Sequence, residues 1–407
     1  MKASFWGLIV YVAFLMFSPA EIYPFLAPLR LALVVPIITL LLLFSEGKFR
    51  IPKTSETFLF ILFFIFCLIS FLLSPYNSRI TEATITHIYK ALALFFMTTM
   101  ILNEEKAIKR FILITLLFIL IDNLVSFYAY RKGLLIAPSG KRAYRFGSYF
   151  TGGTGSDVNE YGLHMLMFLP FSILLLKNES STLRKAFLSF SFLSIFYCFT
   201  RTLSRGAMIG ATIVLLQIFA LNRKNLKYLF LMVVFIAFIF YKTPTSFFER
   251  FDTITSNEEA ADGSIVARLI AFEDGMALLK KNYLFGIGVG AFRDARATLG
   301  KLERVDTVHV AHNTYLEILV ETGVFNFFIY MLIIFTVLKG SIVSEKFFGE
   351  KGYPYIKSLS QALRIGFTGF LISSFFISMQ YDRFFYIFCS ILTSIKILRE
   401  KIAETEI

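Results

Sequence analysis

Apolar residues in this chain are grouped in long blocks, separated by short polar connections. The blocks run near 4–18, 28–44, 57–73, 86–102, 108–127, 161–176, 185–200, 206–221, 226–241, 323–339, 360–379 and 382–397. Each is close to the length a helix needs to cross ~30 Å of hydrocarbon. A chain in lipid must satisfy its backbone hydrogen bonds internally, so blocks of this kind predict helices. The expected fold is an all-α polytopic membrane protein with about 12 transmembrane helices.

Charge then orders the blocks. One set of alternate connections carries Lys48, Arg50 and Lys53; Lys106, Lys109 and Arg110; Lys177, Arg184 and Lys185; Arg223, Lys224 and Lys227; and Lys339, Lys346, Lys351 and Lys357. The C-terminal stretch adds Lys396, Arg399 and Lys401. The other short connections hold only Arg79, Arg201 with Arg205, and Arg383. Lysine and arginine bias places the basic set, and with it both termini, in the cytoplasm. An even number of spans agrees.

Two connections on the outer side are long, and long loops cross a membrane with little regard to charge. The first, 128–160, contains Lys141-Arg142-Ala143-Tyr144-Arg145 and the glycine-rich Thr151–Gly155. The second, 242–312, has nine Lys/Arg against ten Asp/Glu and is no general basic patch. Within it, Ser264 reads as an N-cap. Ile265, Leu269, Phe272, Met276 and Leu279 follow at helical spacing, which predicts an amphipathic helix to about Lys281. Such a helix is expected on the outer membrane face or over the mouth of the bundle. The whole chain, 1–407, reads as a single integral membrane domain, with the large loop contributing part of a site.

Composition supports the membrane reading and removes others. The chain is 57% apolar, with a mean hydropathy of +0.69; soluble proteins lie nearer 45–50% apolar, by order of magnitude about one half. The net charge of +13 comes with no lysine- or arginine-rich tract that would follow a phosphate backbone, so nucleic acid is not an expected partner. Cys67, Cys198 and Cys389 lie far apart inside apolar blocks and read as small hydrophobes in helix packing, with no metal-ligand spacing. Lys2 followed by an apolar run and Ser18-Pro19-Ala20 resembles a secretory signal, but one n-region charge and a proline beside the site favour a retained span.

Candidate chemistry concentrates just before the block at 323. His312 is one of four histidines, and His309 precedes it by three residues. Asn313, Glu317 and Glu321 recur at i, i+4 and i+8 and share one helical face. Two neighbouring carboxylates at an apolar boundary call for a proton or a cation. Arg201 and Arg205, at the outer junction of two spans, and Arg268, on the amphipathic helix, are the available cations. Charges so close to hydrocarbon are costly and often functional; headgroup snorkelling is the plainer reading. Three arginines and a histidine on one side suit a diphosphate, since the guanidinium fork contacts phosphate oxygens in pairs. Arg142 and Arg145 of the first loop are further substrate-binding candidates. Gly286–Gly290 lacks a surrounding βαβ unit and reads as a turn. Lys90 and Asp122-Asn123, inside spans, are expected as helix-packing partners. Asp157, Asn159 and Glu160 either bind sugar hydroxyls or simply open a helix. No metal site and no cofactor are expected.

These residues resemble the O-antigen polymerase and ligase superfamily. The resemblance rests on His312-Asn313 followed by Glu321 and Gly323, on Ser204-Arg205-Gly206 ahead of a span, and on Arg268 upstream of Asn282–Gly288. It covers about residues 140 to 340. Asn326 stands where the ligase pattern has a second glycine, and Asp157-Val158-Asn159-Glu160 resembles the Asp-Pro-Asn element of polysaccharide polymerases. The resemblance implies a metal-independent, inverting glycosyltransferase of the cytoplasmic (inner) membrane with its site on the periplasmic or extracellular side. The donor would be a glycan on a polyprenyl diphosphate, and a flippase and a chain-length regulator would be assembly partners. His312, Arg205 and Arg268 would be catalytic; Arg201, Asn313, Glu321 and Asn159 would position substrate or catalytic groups. Polymerisation of lipid-linked repeat units is the expected activity, with ligation to lipid A core as the alternative. A non-enzymatic lipid-linked oligosaccharide transporter is the rival from another class. Transporters often carry internal repeats, and none is visible here.

Overall fold

The computed structural model describes residues 2–76, 79–135, 146–150, 157–223, 263–299 and 310–405, with isolated positions between 225 and 237. Among the described residues every regular element is helical. In chain order these are α1 (Ala3–Phe17), α2 (Pro19–Ile22), α3 (Leu31–Ser45), α4 (Ser55–Leu73), α5 (Arg79–Ile101), α6 (Glu105–Lys132), α7 (Val158–Leu174), α8 (Thr182–Thr202) and α9 (Arg205–Leu221). After the large loop come α10 (Gly263–Lys281), α11 (Phe292–Ala297), α12 (Thr314–Glu350), α13 (Pro354–Ser373) and α14 (Arg383–Thr405). A 3-10 turn, Pro24–Leu29, leads into α3.

Eleven of the expected apolar blocks fall on these helices; the block at 226–241 lies largely outside the described residues. Six helices among the described residues are long and apolar enough to cross a membrane: Pro24–Ser45, Ser55–Leu73, Ile80–Ile101, Glu105–Lys132, Val158–Asn178 and Thr314–Glu350. The expectation of twelve is thus met for six, and Ala3–Phe17 and Arg205–Leu221 are apolar but shorter. α13 and α14 are packed inside the protein: every residue of α14 from Phe384 to Ile395 is buried. The block at 360–379 also stops early as a helix, at Ser373, and Ser374–Asp382 bends into turns.

Helix ends follow capping chemistry. Thr54 accepts from the Thr57 N–H at α4 (3.2 Å), and Asp157 accepts from the Asn159 N–H at α7 (2.8 Å), each satisfying a donor the helix leaves unpaired. α10 begins at Gly263, one residue before the expected Ser264 cap. Its packing face is also rotated from the expected stripe. Ala271 and Leu278 are buried with Ala311, Leu316 and Val320, while Leu269 and Phe272 face outward.

The charge alternation read from the sequence is visible as two ends of the bundle. At one end Lys396 pairs with Glu56 (2.8 Å), and Glu179 with Arg184 (2.9 Å) and Lys109 (3.7 Å). Asn178 there donates to Pro354 O and Ser358 Oγ. At the other end Phe146 N–H donates to Arg201 O (3.2 Å), Thr314 N–H to Ser374 O (2.9 Å), and Arg383 to Leu15 O.

Candidate functional site

The site is assembled at this second end by the turn that follows α13. Thr314 opens α12 and is fastened to that turn: its N–H donates to Ser374 O (2.9 Å) and Ile377 O (3.2 Å). Its hydroxyl donates to Ile377 O (2.7 Å) and accepts from Met379 N–H (2.8 Å). On the other side of the same turn, Ser373 Oγ donates to Gly206 O (3.1 Å), and Gly206 packs against Phe376 with no room for a side chain. Arg205 and His312 precede Gly206 and Thr314 by one and two residues. The fold therefore brings two motifs a hundred residues apart to opposite flanks of one turn. Arg268 lies one helical turn before Ala271, which shares a buried cluster with Ala311. Three of the expected catalytic residues are thus gathered around the start of α12.

Local conformation is unusual at this junction. His312 has φ 51 and Leu203 has φ 52, a left-handed backbone that costs a non-glycine residue free energy and is held only where surroundings impose it. Asn313 is used differently from the expectation. Its Oδ1 accepts from Tyr315 N–H (3.0 Å) and Leu316 N–H (3.1 Å), so the side chain caps α12. Its role is to fix the backbone that carries His312.

Glu317 and Glu321 are both buried. Neutral donors fill much of their hydrogen-bonding capacity. Glu317 accepts from Ala311 N–H (2.6 Å), Ser378 Oγ (2.6 Å) and Gln380 Nε2. Glu321 accepts from Tyr381 Oη (2.8 Å) and Phe292 N–H (3.3 Å). A buried carboxylate is tolerated only when its lone pairs are filled. These bonds tie the His312 segment, α12 and the 378–381 turn into one network.

α12 is broken inside its apolar run. Gly323 has φ 79 and ψ 174, so the helix stops and restarts. The carbonyls released by the break are satisfied by the glycine-rich stretch: Ile287 N–H donates to Val320 O (3.0 Å) and Gly288 N–H to Glu321 O (3.0 Å), and Ser70 Oγ donates to Glu321 O (2.6 Å). Val324 N–H donates to Tyr283 O (2.9 Å). A Cβ on Gly323 would sit 2.2 Å from Leu284 O. The turn at 286–290 expected from the sequence is present, and it is the clamp on this break.

Beside this network lies a cavity of about 740 Å³. Arg30, His87, Lys90 and Arg383 line it, as do Asp122, Asp157, Glu160, Asp382 and His164. Tyr381 lines it too, so the Glu321 network forms part of its wall. Arg201, Arg205, Arg268, His312, Asn313 and Glu321 do not line it. Arg201 donates to Tyr130 Oη (3.1 Å) and lies over that ring. Asn159 donates through Nδ2 to Asp157 Oδ1 (2.8 Å), within the turn that opens α7. Arg142, Arg145, His309 and Thr151–Gly155 lie outside the described residues.

Two groups expected as helix-packing partners also reach the cavity. Asp122 accepts from Ser148 Oγ (2.7 Å) and Ser126 Oγ (3.1 Å) but lines the cavity, as does Lys90. Asn123 is a packing residue as expected, bonded to Ser194 Oγ and Tyr161 Oη. The His164–Asp382 pair (3.0 Å) was not singled out from the sequence, nor were His87, Arg30, Ser378, Gln380 and Tyr381. A signal existed for His87 and His164: ionisable residues within apolar blocks are functional candidates by default.

A comparison with curated proteins gives no match. Residues 190–331 match the family model described as O-antigen ligase. The stretch that carries Arg201, Arg205, Arg268, His312 and Glu321 is therefore similar to the O-antigen ligase family, which supports the resemblance to the O-antigen polymerase and ligase superfamily.

Proposed function

We propose that the protein is a membrane glycosyltransferase that polymerises polyprenyl-diphosphate-linked repeat units into a surface polysaccharide. The observation that carries this reading is the gathering of Arg205, Arg268 and His312, all within the family-matched stretch, around the start of α12. In the reaction an acceptor hydroxyl oxygen attacks the anomeric carbon of the donor, the bond from that carbon to the diphosphate oxygen breaks, and the configuration inverts. The hydroxyl proton passes to the His312 imidazole, a general-base role worth about 10²–10⁴-fold. Arg205 and Arg268 offset the charge that grows on the departing diphosphate, with Arg201 assisting; fixed cations at a developing charge are commonly a large catalytic contribution. Asn313 and Glu317 act by holding the His312 backbone in place, and Glu321 fixes the Tyr381 turn beside it.

In this reading the site faces the periplasm or the cell exterior from the cytoplasmic membrane, and catalysis requires no metal, so activity survives chelation. The polymerase reading is supported by the resemblance of Asp157-Val158-Asn159-Glu160 to the Asp-Pro-Asn element of polysaccharide polymerases. Ligation of the glycan to lipid A core is the second reading, favoured by the description of the matched family. The test is surface polysaccharide profiling in cells lacking the gene and in cells carrying His312→Ala. A single repeat on its normal acceptor, with no ladder, supports the polymerase. Loss of all attached glycan with long chains on the carrier supports the ligase. A normal ladder in both strains refutes both.

A further inference from the structure

The cavity is chemically sorted. Arg30 on the approach to α3, and His87 and Lys90 on α5, line it; α3 and α5 pack on each other. Asp122 on α6 and Asp157 and Glu160 at the start of α7 also line it, and α6 and α7 are joined through Asn123 and Tyr161. Cations thus enter from one pair of helices and carboxylates from another. The Arg30 guanidinium and the Glu160 carboxyl make no side-chain hydrogen bond or close ion pair among the described residues, with the Arg383 charge acting on Glu160 from farther off. Arg30 is exposed, so its guanidinium is open to a ligand that enters the cavity.

The cation side also touches lipid. Leu26, Ala27, Leu31 and Leu33 line the cavity beside Arg30, and α3 is the least enclosed of the candidate spans, only 17% buried. Arg30 stands where that span meets the polar end of the bundle. An amphiphile whose chain runs along α3 would present its headgroup to Arg30, Lys90 and His87. Groups beyond the headgroup would reach Asp157 and Glu160, and carboxylates are natural acceptors for sugar hydroxyls.

From this arrangement we infer that the cavity is a second substrate site, which takes a phosphate-bearing lipid-linked glycan as acceptor, its phosphate on the Arg30–Lys90 side and its sugars on the Asp157–Glu160 side. The inference rests on the polymerase reading, in which two lipid-linked molecules meet. It places the acceptor beside the Tyr381–Glu321–Glu317 network and away from the Arg205–Arg268 side, where the donor diphosphate belongs. Asp382, paired with His164, and Arg383 complete the lining of this cavity.

The test uses the full-length protein in nanodiscs and a polyprenyl diphosphate carrying a photoreactive diazirine next to its headgroup, with label mapped by mass spectrometry. Label on peptides spanning 26–33 or 83–91, reduced about tenfold in Arg30→Gln and Lys90→Gln, supports the acceptor site; each loses one charge-assisted contact. Excess inorganic diphosphate should leave that label in place, because the lipid chain contributes binding; equal displacement would mean a free-anion site and overturn the inference. Glu160→Gln should leave labelling by the sugar-free probe unchanged and weaken labelling by the same probe bearing a repeat unit. Label confined to peptides around Arg205, Arg268 or His312 would overturn the second site while leaving the glycosyltransferase reading intact. No label on any peptide would sink both.

Discussion

The two ends of the helical bundle bury carboxylates in opposite ways. At the basic end three buried acids each have a cation: Glu56 has Lys396, Glu179 has Arg184 and Lys109, and Glu345 has Arg364 at 2.6 Å. At the other end Glu317 and Glu321 are held by backbone N–H groups, a serine, a glutamine and a tyrosine. Arginines are present at this end too, yet Arg205 and Arg201 remain exposed. The difference is instructive. Pairing neutralises charge and locks helices together, which suits an end with no substrate to receive. Filling carboxylates with neutral donors lets these acids be buried while the Arg201 and Arg205 side chains stay at the surface.

The contrast predicts mutational effects of different kinds. Removing one partner of a buried pair at the basic end leaves an uncompensated charge. Lys396→Met should therefore cost about 3–5 kcal/mol, measured as a loss of thermal stability in detergent. Activity per folded molecule should hardly change. At the other end Arg205→Ala should leave the melting temperature in place and lower glycan transfer by about 10²–10³-fold, the usual cost of deleting one group that stabilises developing charge. Equal losses of stability at both ends would break the comparison.

Gly323→Ala probes the clamp between these regions. The substitution meets Leu284 O and requires φ 79 of an alanine, so it should cost about 1–3 kcal/mol. It should also lower transfer, because α12 carries Glu317 and Glu321. The smallest effect concerns pH. Burial pushes the Glu179 carboxyl up, but the Ser181 N–H, Lys109, Arg184 and the Ser180 N–H outweigh it and hold it below its ordinary value. A depressed acid stabilises the fold above its unfolded pKa, and that contribution is lost as pH falls through the folded value. Stability should therefore drop as pH goes below about 4, and Glu179→Gln should flatten that slope in a melting series.

Several elements were legible because they depend on local chemistry alone. The apolar blocks gave helices from α1 to α12, and the amphipathic helix ends at Lys281 as expected. The turn at 286–290 was read from its glycines, but its partner, the break at Gly323, was not. A lone glycine in an apolar run is common, and its φ is set by the loop that approaches it. Asn313 was read as a positioning residue because an amide beside a histidine looks functional; the backbone donors it caps are visible only once α12 has a start. The same holds for the face of α10, which was assigned by hydrophobicity although Ala271 and Leu278 make the contact.

The sequence by itself determined that the chain is helical with apolar segments of membrane-spanning length, and it singled out His312, Arg205 and Arg268 as separate candidates. Hydropathy and charge bias act over short stretches of chain, so they survive without knowledge of neighbours. Only the tertiary structure decided that Ser373–Asp382 joins Arg205 to His312, that neutral donors hold Glu317 and Glu321, and that Arg30, Lys90 and Glu160 share one cavity. Those relations connect residues up to 177 positions apart, from Arg205 to Asp382 (382 − 205); packing of helices brings them together, and no local pattern encodes the distance.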